Sequence, residues 1–210
     1  MTDDIFVFCQ SSIKISKDKV IYFDPYRVDQ FYHDADYIFI THNHYDHFSL
    51  EDIKKVVKED TKMIVPKSME KEMSSLGLSI KDILFVEPFT SYDIDDFSFE
   101  TFPSYNLEAP FHKKEDGWVG YLLYYDHLSY YVPGDTDIIS EIKSISCDVL
   151  FVPIGGTYTM SIKYGVELTK LIHPKLAIPI HYGSIVGSVE LGEQFRRELE
   201  GIVDTKIFIK

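Results

Sequence analysis

Directly after the apolar run Tyr37–Ile40 the chain reads Thr41-His42-Asn43-His44-Tyr45-Asp46-His47, an H-x-H-x-D-H pattern. In a chain with 8 histidines among 210 residues, composition alone produces such a cluster on the order of 10⁻³ times per chain. Imidazole and carboxylate together suit Zn, Mn or Fe, and the absence of a nearby cysteine argues against a structural zinc finger. Side chains two apart in an extended segment point the same way, so His42 and His44 are placed to grip one ion. Asp46 and His47, after the chain turns, face a second. A loop of solvated histidines is the competing reading, and the chance frequency weighs against it.

Other strand-like runs end in the same vocabulary. Phe23-Asp24-Pro25, Val132-Pro133-Gly134-Asp135, Val152-Pro153-Ile154-Gly155-Gly156 and Ile180-His181-Tyr182-Gly183 each pass from apolar residues to Asp, His or Gly. Such residues are ordinary turn formers. In layered α/β proteins, however, ligands gather where loops converge beyond strand ends, and His42, Asp135 and His181 at three such ends favour a shared site.

Between these points the pattern predicts strands over Ile5–Cys9, Val20–Phe23, Tyr37–Ile40, Met63–Val65, Ile83–Val86 and Phe97–Phe102. It continues with Trp118–Asp126 and Ser129–Val132, joined as a hairpin at Asp126-His127, then Val149–Val152, Leu176–Ile180 and Thr205–Ile209. Helices are expected over Leu50–Glu59 with Ser49 as N-cap, Ser68–Leu76 closed by Gly77, Lys163–His173 and Val189–Glu200. No repeat or linker interrupts the chain, and interspersed strands and helices point to one α/β or α+β domain of layered sheets.

Composition sets the outer bounds. With 45% hydrophobic residues, 15 Phe and 15 Tyr, the chain can build a core, which excludes disorder. Its 34 acidic and 21 basic residues give a net charge of −13, which disfavours nucleic acid and anionic membrane partners. Two cysteines, Cys9 and Cys147, make no disulfide framework; both read as buried small hydrophobes. With no basic leader and no long apolar stretch, the expected location is the cytoplasm.

Taken together, these motifs resemble the metallo-β-lactamase superfamily, over most of the chain. Pro153–Met160 and Pro179–Gly183 are most similar to its branch of metal-dependent hydrolases related to ascorbate-6-phosphate lactonase and the phospholipase D acting on N-acyl phosphatidylethanolamine. The resemblance implies a four-layer αββα sandwich spanning residues 1–210 as a single hydrolase domain. It implies His42, His44, Asp46, His47, Asp135 and His181 as metal ligands, with Asp135 bridging two ions and Asp24 supporting the metal loop from behind. One or two divalent ions are expected, zinc ahead of manganese or iron. A metal-activated water would attack a small-molecule lactone, ester or phosphodiester, with Asp46 orienting or deprotonating it. The motifs leave the oligomeric state open.

One departure stands out. The superfamily carries a further histidine after the strand near position 103, but here the chain reads Phe102-Pro103-Ser104-Tyr105-Asn106, and no histidine follows until His112. Tyr105 or Asn106 would take the place, or His112 would fold back; otherwise the first ion is short of ligands. This departure sustains the alternative of a non-catalytic metal-binding or regulatory protein that keeps the fold. His112-Lys113-Lys114 also forms a basic cluster able to attract an anionic substrate, though solvated surface charge is the favoured reading. His33, His127 and His173 are assigned no role at the site.

Overall fold

The computed structural model describes residues 2–74, 77, 82–94, 96–108 and 110–209. The first sheet is built from β1 (Ile5–Val7), β2 (Ile13–Ser16), β3 (Val20–Phe23), β4 (Ala35–Phe39), β5 (Val57–Pro66) and β6 (Asp82–Val86), in chain order. Its outer face carries α1 (Leu50–Val56) and α2 (Glu70–Ser74). The second sheet comprises β7 (Ser91–Ile94), β8 (Phe97–Pro103), β9 (Val119–Tyr125), β10 (Leu128–Val132), β11 (Val149–Pro153), β12 (Leu176–Ile180) and β13 (Asp204–Thr205). Against its outer face lie α3 (Ile162–Ile172) and α4 (Glu190–Glu198).

The inner faces of both sheets share one core that includes Ile13, Ile15, Phe23, Phe39, Phe99, Tyr121 and Phe151. This gives the four layers in the order helix, sheet, sheet, helix. Phe39 sits centrally, with ring centroids 4.9 Å from Phe23, 5.0 Å from Tyr121 and 5.2 Å from Phe99. Such aromatic pairs add about 0.5–1.5 kcal/mol each beyond the area they bury. Tyr121 reaches across the core to donate its hydroxyl to the Ile40 carbonyl at 2.7 Å, and so pins the backbone just before the histidine motif.

The differences from the predicted elements have local causes. α1 starts at its Ser49 cap, whose hydroxyl accepts the Asp52 amide, but stops at Val56 and not at Glu59. From Val57 the chain joins β4: Val57 pairs with Ala35, and the Thr61 hydroxyl bonds both the Lys58 amide and the Ala35 carbonyl. Tertiary pairing here outweighs a helix-compatible Lys/Glu composition. β2 went unpredicted although Ile13-Lys14-Ile15 alternates with period two. β7, polar and at the sheet edge, offered no apolar run. The last strand is limited to Asp204–Thr205. The second helix begins as a 3₁₀ turn at Lys67–Met69, and its expected end at Leu76 lies outside the described residues. The Asp126-His127 hairpin forms as expected, with both residues at positive φ (49° and 63°), as a type I′ turn demands.

β3, β4 and β5 run parallel, as do β10, β11 and β12. Asp24 follows β3 and the histidine motif follows β4, while Asp135, Gly155 and His181 follow β10, β11 and β12. The carboxyl ends of both parallel sets therefore deliver the polar residues to one rim of the sandwich.

Candidate metal centre

Three overlapping groups of possible ligands meet at this rim: His42, His44 and His112; His42, His47 and Asp135; and Asp46, His47 and His181. Within each group the candidate ligand atoms lie within 4.8 Å of one another. Asp135 touches both ends, with its carboxylate 3.5 Å from His47 Nε2, 3.5 Å from His112 Nε2 and 3.0 Å from His181 Nε2.

His112 is where the structure departs most from the sequence expectation. The segment after β8 loops out and doubles back: Ser104 N–H donates to the Trp118 carbonyl and Asn106 N–H to the His112 carbonyl. His112 is thereby buried beside His42 and His44, with ring centroids 5.2 and 4.9 Å away. A first group short of a third imidazole is thus not what the fold builds. Tyr105 does not take that place, since its hydroxyl donates to Glu141 at 3.0 Å. Asn106 is also engaged elsewhere: its Oδ1 accepts from His112 Nδ1 at 2.7 Å and its Nδ2 donates to the Tyr158 carbonyl.

The hydrogen bonds behind the rings decide which nitrogen each presents. Asp24, wholly buried, accepts the Thr41 amide at 2.8 Å, the Thr41 hydroxyl at 2.7 Å and His47 Nδ1 at 2.7 Å. With its hydroxyl proton given to Asp24, Thr41 Oγ1 accepts from His42 Nδ1 at 2.9 Å. His42, His47 and His112 are therefore each tied through Nδ1, and each leaves Nε2 buried with no hydrogen-bond partner. Asp135 Oδ1 and both His181 nitrogens are likewise unpartnered, the 3.0 Å approach of His181 to Asp135 lacking hydrogen-bond alignment. Buried polar atoms are rarely left so. Several orphaned nitrogen and carboxylate donors aimed at shared points, with their outer nitrogens fixed, fit divalent metal ions.

The electrostatics agree. Burial pushes His42 well down and brings His112 to about 4, so both are neutral and ready to ligate. Burial opposes protonation of His181 and His47 as well, but Asp135 outweighs it. His181 rises to about 9, and His47, with Asp24 also beside it, rises well above the ordinary value. Burial would raise Asp135, yet His181 and His47 hold its carboxyl well below the usual range.

This sets a pH dependence for metal-free protein. A protonated His181 contributes stability that is complete below about 6.5, its unfolded pKa. That contribution disappears as pH rises through about 9. His42 and His112 are pushed below this window and Asp135 below the usual carboxylate range, while His47, raised like His181, adds to the loss in the same direction. In chelator, the melting temperature should therefore fall between pH 6.5 and 9, while metal affinity rises over the same interval as ions displace the protons. Thermal melts at several pH values with and without metal measure both slopes; parallel slopes would contradict the assignment.

Several contributors carried no assigned role in the sequence. Trp118, half-buried, packs against His42 and His44 at 4.9 Å and His112 at 5.3 Å; as the sole tryptophan, beside the His112 segment, it was visible but unassigned. Thr41 ties Asp24 to His42, a role that its place between strand and motif could have suggested. Gly155 has no room for a side chain: a Cβ there would lie 2.3 Å from the His181 carbonyl oxygen. Ser104 anchors the Asp135 carbonyl at 3.0 Å. Outside the site, His33 bonds the Val57 carbonyl, His127 occupies the hairpin turn and His173 caps α3. Cys147 is buried, its thiol pushed up to about 12, whereas Cys9 is only half-buried, contrary to expectation. Lys114 of the basic cluster is engaged by Glu141 at 2.7 Å.

Residues 8–181 match the β-lactamase superfamily domain. A metal-dependent hydrolase of Staphylothermus marinus is 30% identical over 184 residues, covering 83% of this chain and 74% of that protein. A crystal structure assigned as a metal-dependent hydrolase, from Parabacteroides distasonis, superposes with a TM-score of 0.81 at 26% identity, covering 98% of this chain and 93% of the other. The metallo hydrolase Igni18 of Ignicoccus hospitalis shares the fold, with a TM-score of 0.77 at 20% identity over 97% of this chain and 93% of its own.

Proposed function

This chain belongs to the β-lactamase superfamily, as a metal-dependent hydrolase, and we propose that it cuts a small-molecule lactone, ester or phosphodiester at a two-ion centre. His42, His44 and His112 would hold one ion and Asp46, His47 and His181 the other, with the Asp135 carboxylate available to both and zinc the expected metal. The observation that carries the reading is the set of buried, unpartnered Nε2 atoms on His42, His47, His112 and His181 beside the Asp135 carboxylate. Bound there, divalent ions would lower the pKa of water from ~15.7 to about 7 and polarise the bond under attack.

The chain's own residues supply the rest. Asp46, kept ionised because His181 and His47 outweigh its burial, orients the attacking water and takes its proton. Asp24 and Asn106 fix His47 and His112 in the ligating tautomer. Trp118 packs against all three imidazoles, of which His42 and His112 are fully buried. The half-buried His44 leaves the His42–His44–His112 group open to an incoming molecule.

The test pairs metal content with turnover. Wild type is expected to hold two ions per chain and to hydrolyse at least one member of a lactone, thioester and phosphodiester panel run with Zn, Mn or Fe(II). A His42→Ala plus His181→Ala variant should lose both properties. Retention of metal and activity by that variant would refute the ligand assignment, and a wild type that binds metal but hydrolyses nothing would favour a non-catalytic protein.

A further inference from the structure

The flank beside His181 holds binding capacity that hydrolysis itself does not use. Arg27 lies in the loop after Asp24, the residue that holds His47. Its Nη1 donates to Ser184 Oγ at 2.6 Å, and Ser184 belongs to the loop that His181 opens. The guanidinium packs over the Tyr26 ring at 5.4 Å, and Tyr26 meets Tyr45 edge-on at 6.1 Å, next in sequence to Asp46. Hydrogen bonds and ring contacts thus connect Arg27 to segments on both sides of the centre.

Two features separate it from ordinary surface charge. The protein's other arginines, Arg196 and Arg197, both reach Glu193. Arg27 is exposed and its backbone amide reaches Asp52, but among the described residues its guanidinium forms no ion pair with a carboxylate, although the chain carries a net charge of −13. Arg27 also holds a left-handed backbone (φ 48°), as does Gln10 (φ 52°). Such strain in non-glycine residues gathers at functional sites. Gln10 accepts the His181 amide through its carbonyl at 2.9 Å, while both atoms of its buried side-chain amide have no partner. Cys9 links the two, lying beside Gln10 in the chain and within electrostatic reach of Arg27.

We infer that Arg27, braced by Ser184, binds an oxyanion of the substrate, phosphate or carboxylate, next to the bond cut at the metal centre. The inference rests on the hydrolase reading above and narrows its substrates to anionic ones. A guanidinium presents a planar fork that pairs with either oxyanion through two parallel hydrogen bonds, and its charge survives at any working pH. Lys114 of the basic cluster does not fill this role, since Glu141 already engages it.

Binding of inorganic phosphate and of succinate to metal-loaded protein, followed by calorimetry at two salt concentrations, tests this together with metal content. Arg27→Ala is expected to keep the wild-type metal content and to weaken at least one anion by ~10-fold or more, with a flatter salt dependence. Arg27→Lys should fall between the two, because charge remains but the fork is lost. The anion that weakens more identifies the oxyanion as phosphoryl or carboxylate. Equal anion affinities in wild type and Arg27→Ala, at equal metal content, overturn the inference and leave the hydrolase reading intact. A wild type that binds neither anion also overturns it, as does an Arg27→Ala variant that sheds metal. A wild type that holds no metal overturns the hydrolase reading itself.

Discussion

An Asp24→Ala variant is expected to lose both stability and metal. The carboxylate is wholly buried and holds three donors: the Thr41 amide, the Thr41 hydroxyl and His47 Nδ1. Removing one partner of a buried charged pair strands the other, at a cost of about 3–5 kcal/mol. In a chain of 210 residues, a loss of that size lowers the melting temperature by roughly 6–20 °C, at ~2–4 °C per kcal/mol. The same change frees His47 to rotate and lets the Thr41 hydroxyl compete for His42. Asp24→Asn separates the two effects. It keeps the volume and much of the stability, but its amide can face His47 as a donor and select the wrong tautomer. Calorimetric melts and metal content distinguish the variants; an Asp24→Asn protein with wild-type metal affinity would show that tautomer control is unimportant here.

The second large effect is expected at His112. An alanine there removes one of three imidazoles from the His42–His44–His112 group and leaves Asp46, His47 and His181 untouched. Stoichiometry should drop from two ions to one, and activity by ~100-fold or more. Asn106→Ala removes only the acceptor behind His112 Nδ1 and should weaken the same ion by about 10–100-fold, the range seen when such supporting partners are lost. Element analysis after dialysis reads both. If His112→Ala still bound two ions tightly, His112 would be packing against the site without ligating it.

The two positions differ in how far the sequence exposed them. Asp24 could be read because it closes an apolar strand and because the superfamily pattern puts a carboxylate there; what remained hidden was that Thr41 relays its effect to His42. His112 stood in view as one of 8 histidines, yet no spacing rule connects it to position 42. Its placement depends on a loop closed by the Asn106 amide on the His112 carbonyl and by the Ser104 amide on the Trp118 carbonyl. Such backbone bonds leave no residue-type signature. Arg27 was invisible for a related reason: its environment is assembled from Ser184, Tyr26 and Tyr45, two of them distant in sequence.

Secondary structure followed the same division. The hairpin at Asp126-His127 and the buried strand Val149–Pro153 announced themselves through turn chemistry and apolar runs. The end of α1 did not, because Val57 enters a strand only where Ala35 and Thr61 are there to bond it.

The sequence by itself determined the chemistry: three imidazoles and a carboxylate within six residues, supplied with further Asp and His at later strand ends. Ligand type, strand-end placement and the layered fold are local or periodic properties, and these are written in residue order. The tertiary structure alone decided which side chains converge at the site and how far it is open to solvent. Whether a third imidazole joins the first group, which nitrogen each ring offers, and which side chains brace Arg27 all depend on loops meeting across two sheets. Those meetings are fixed by packing between the sheets and by backbone hydrogen bonds, to which the order of residues gives no direct key.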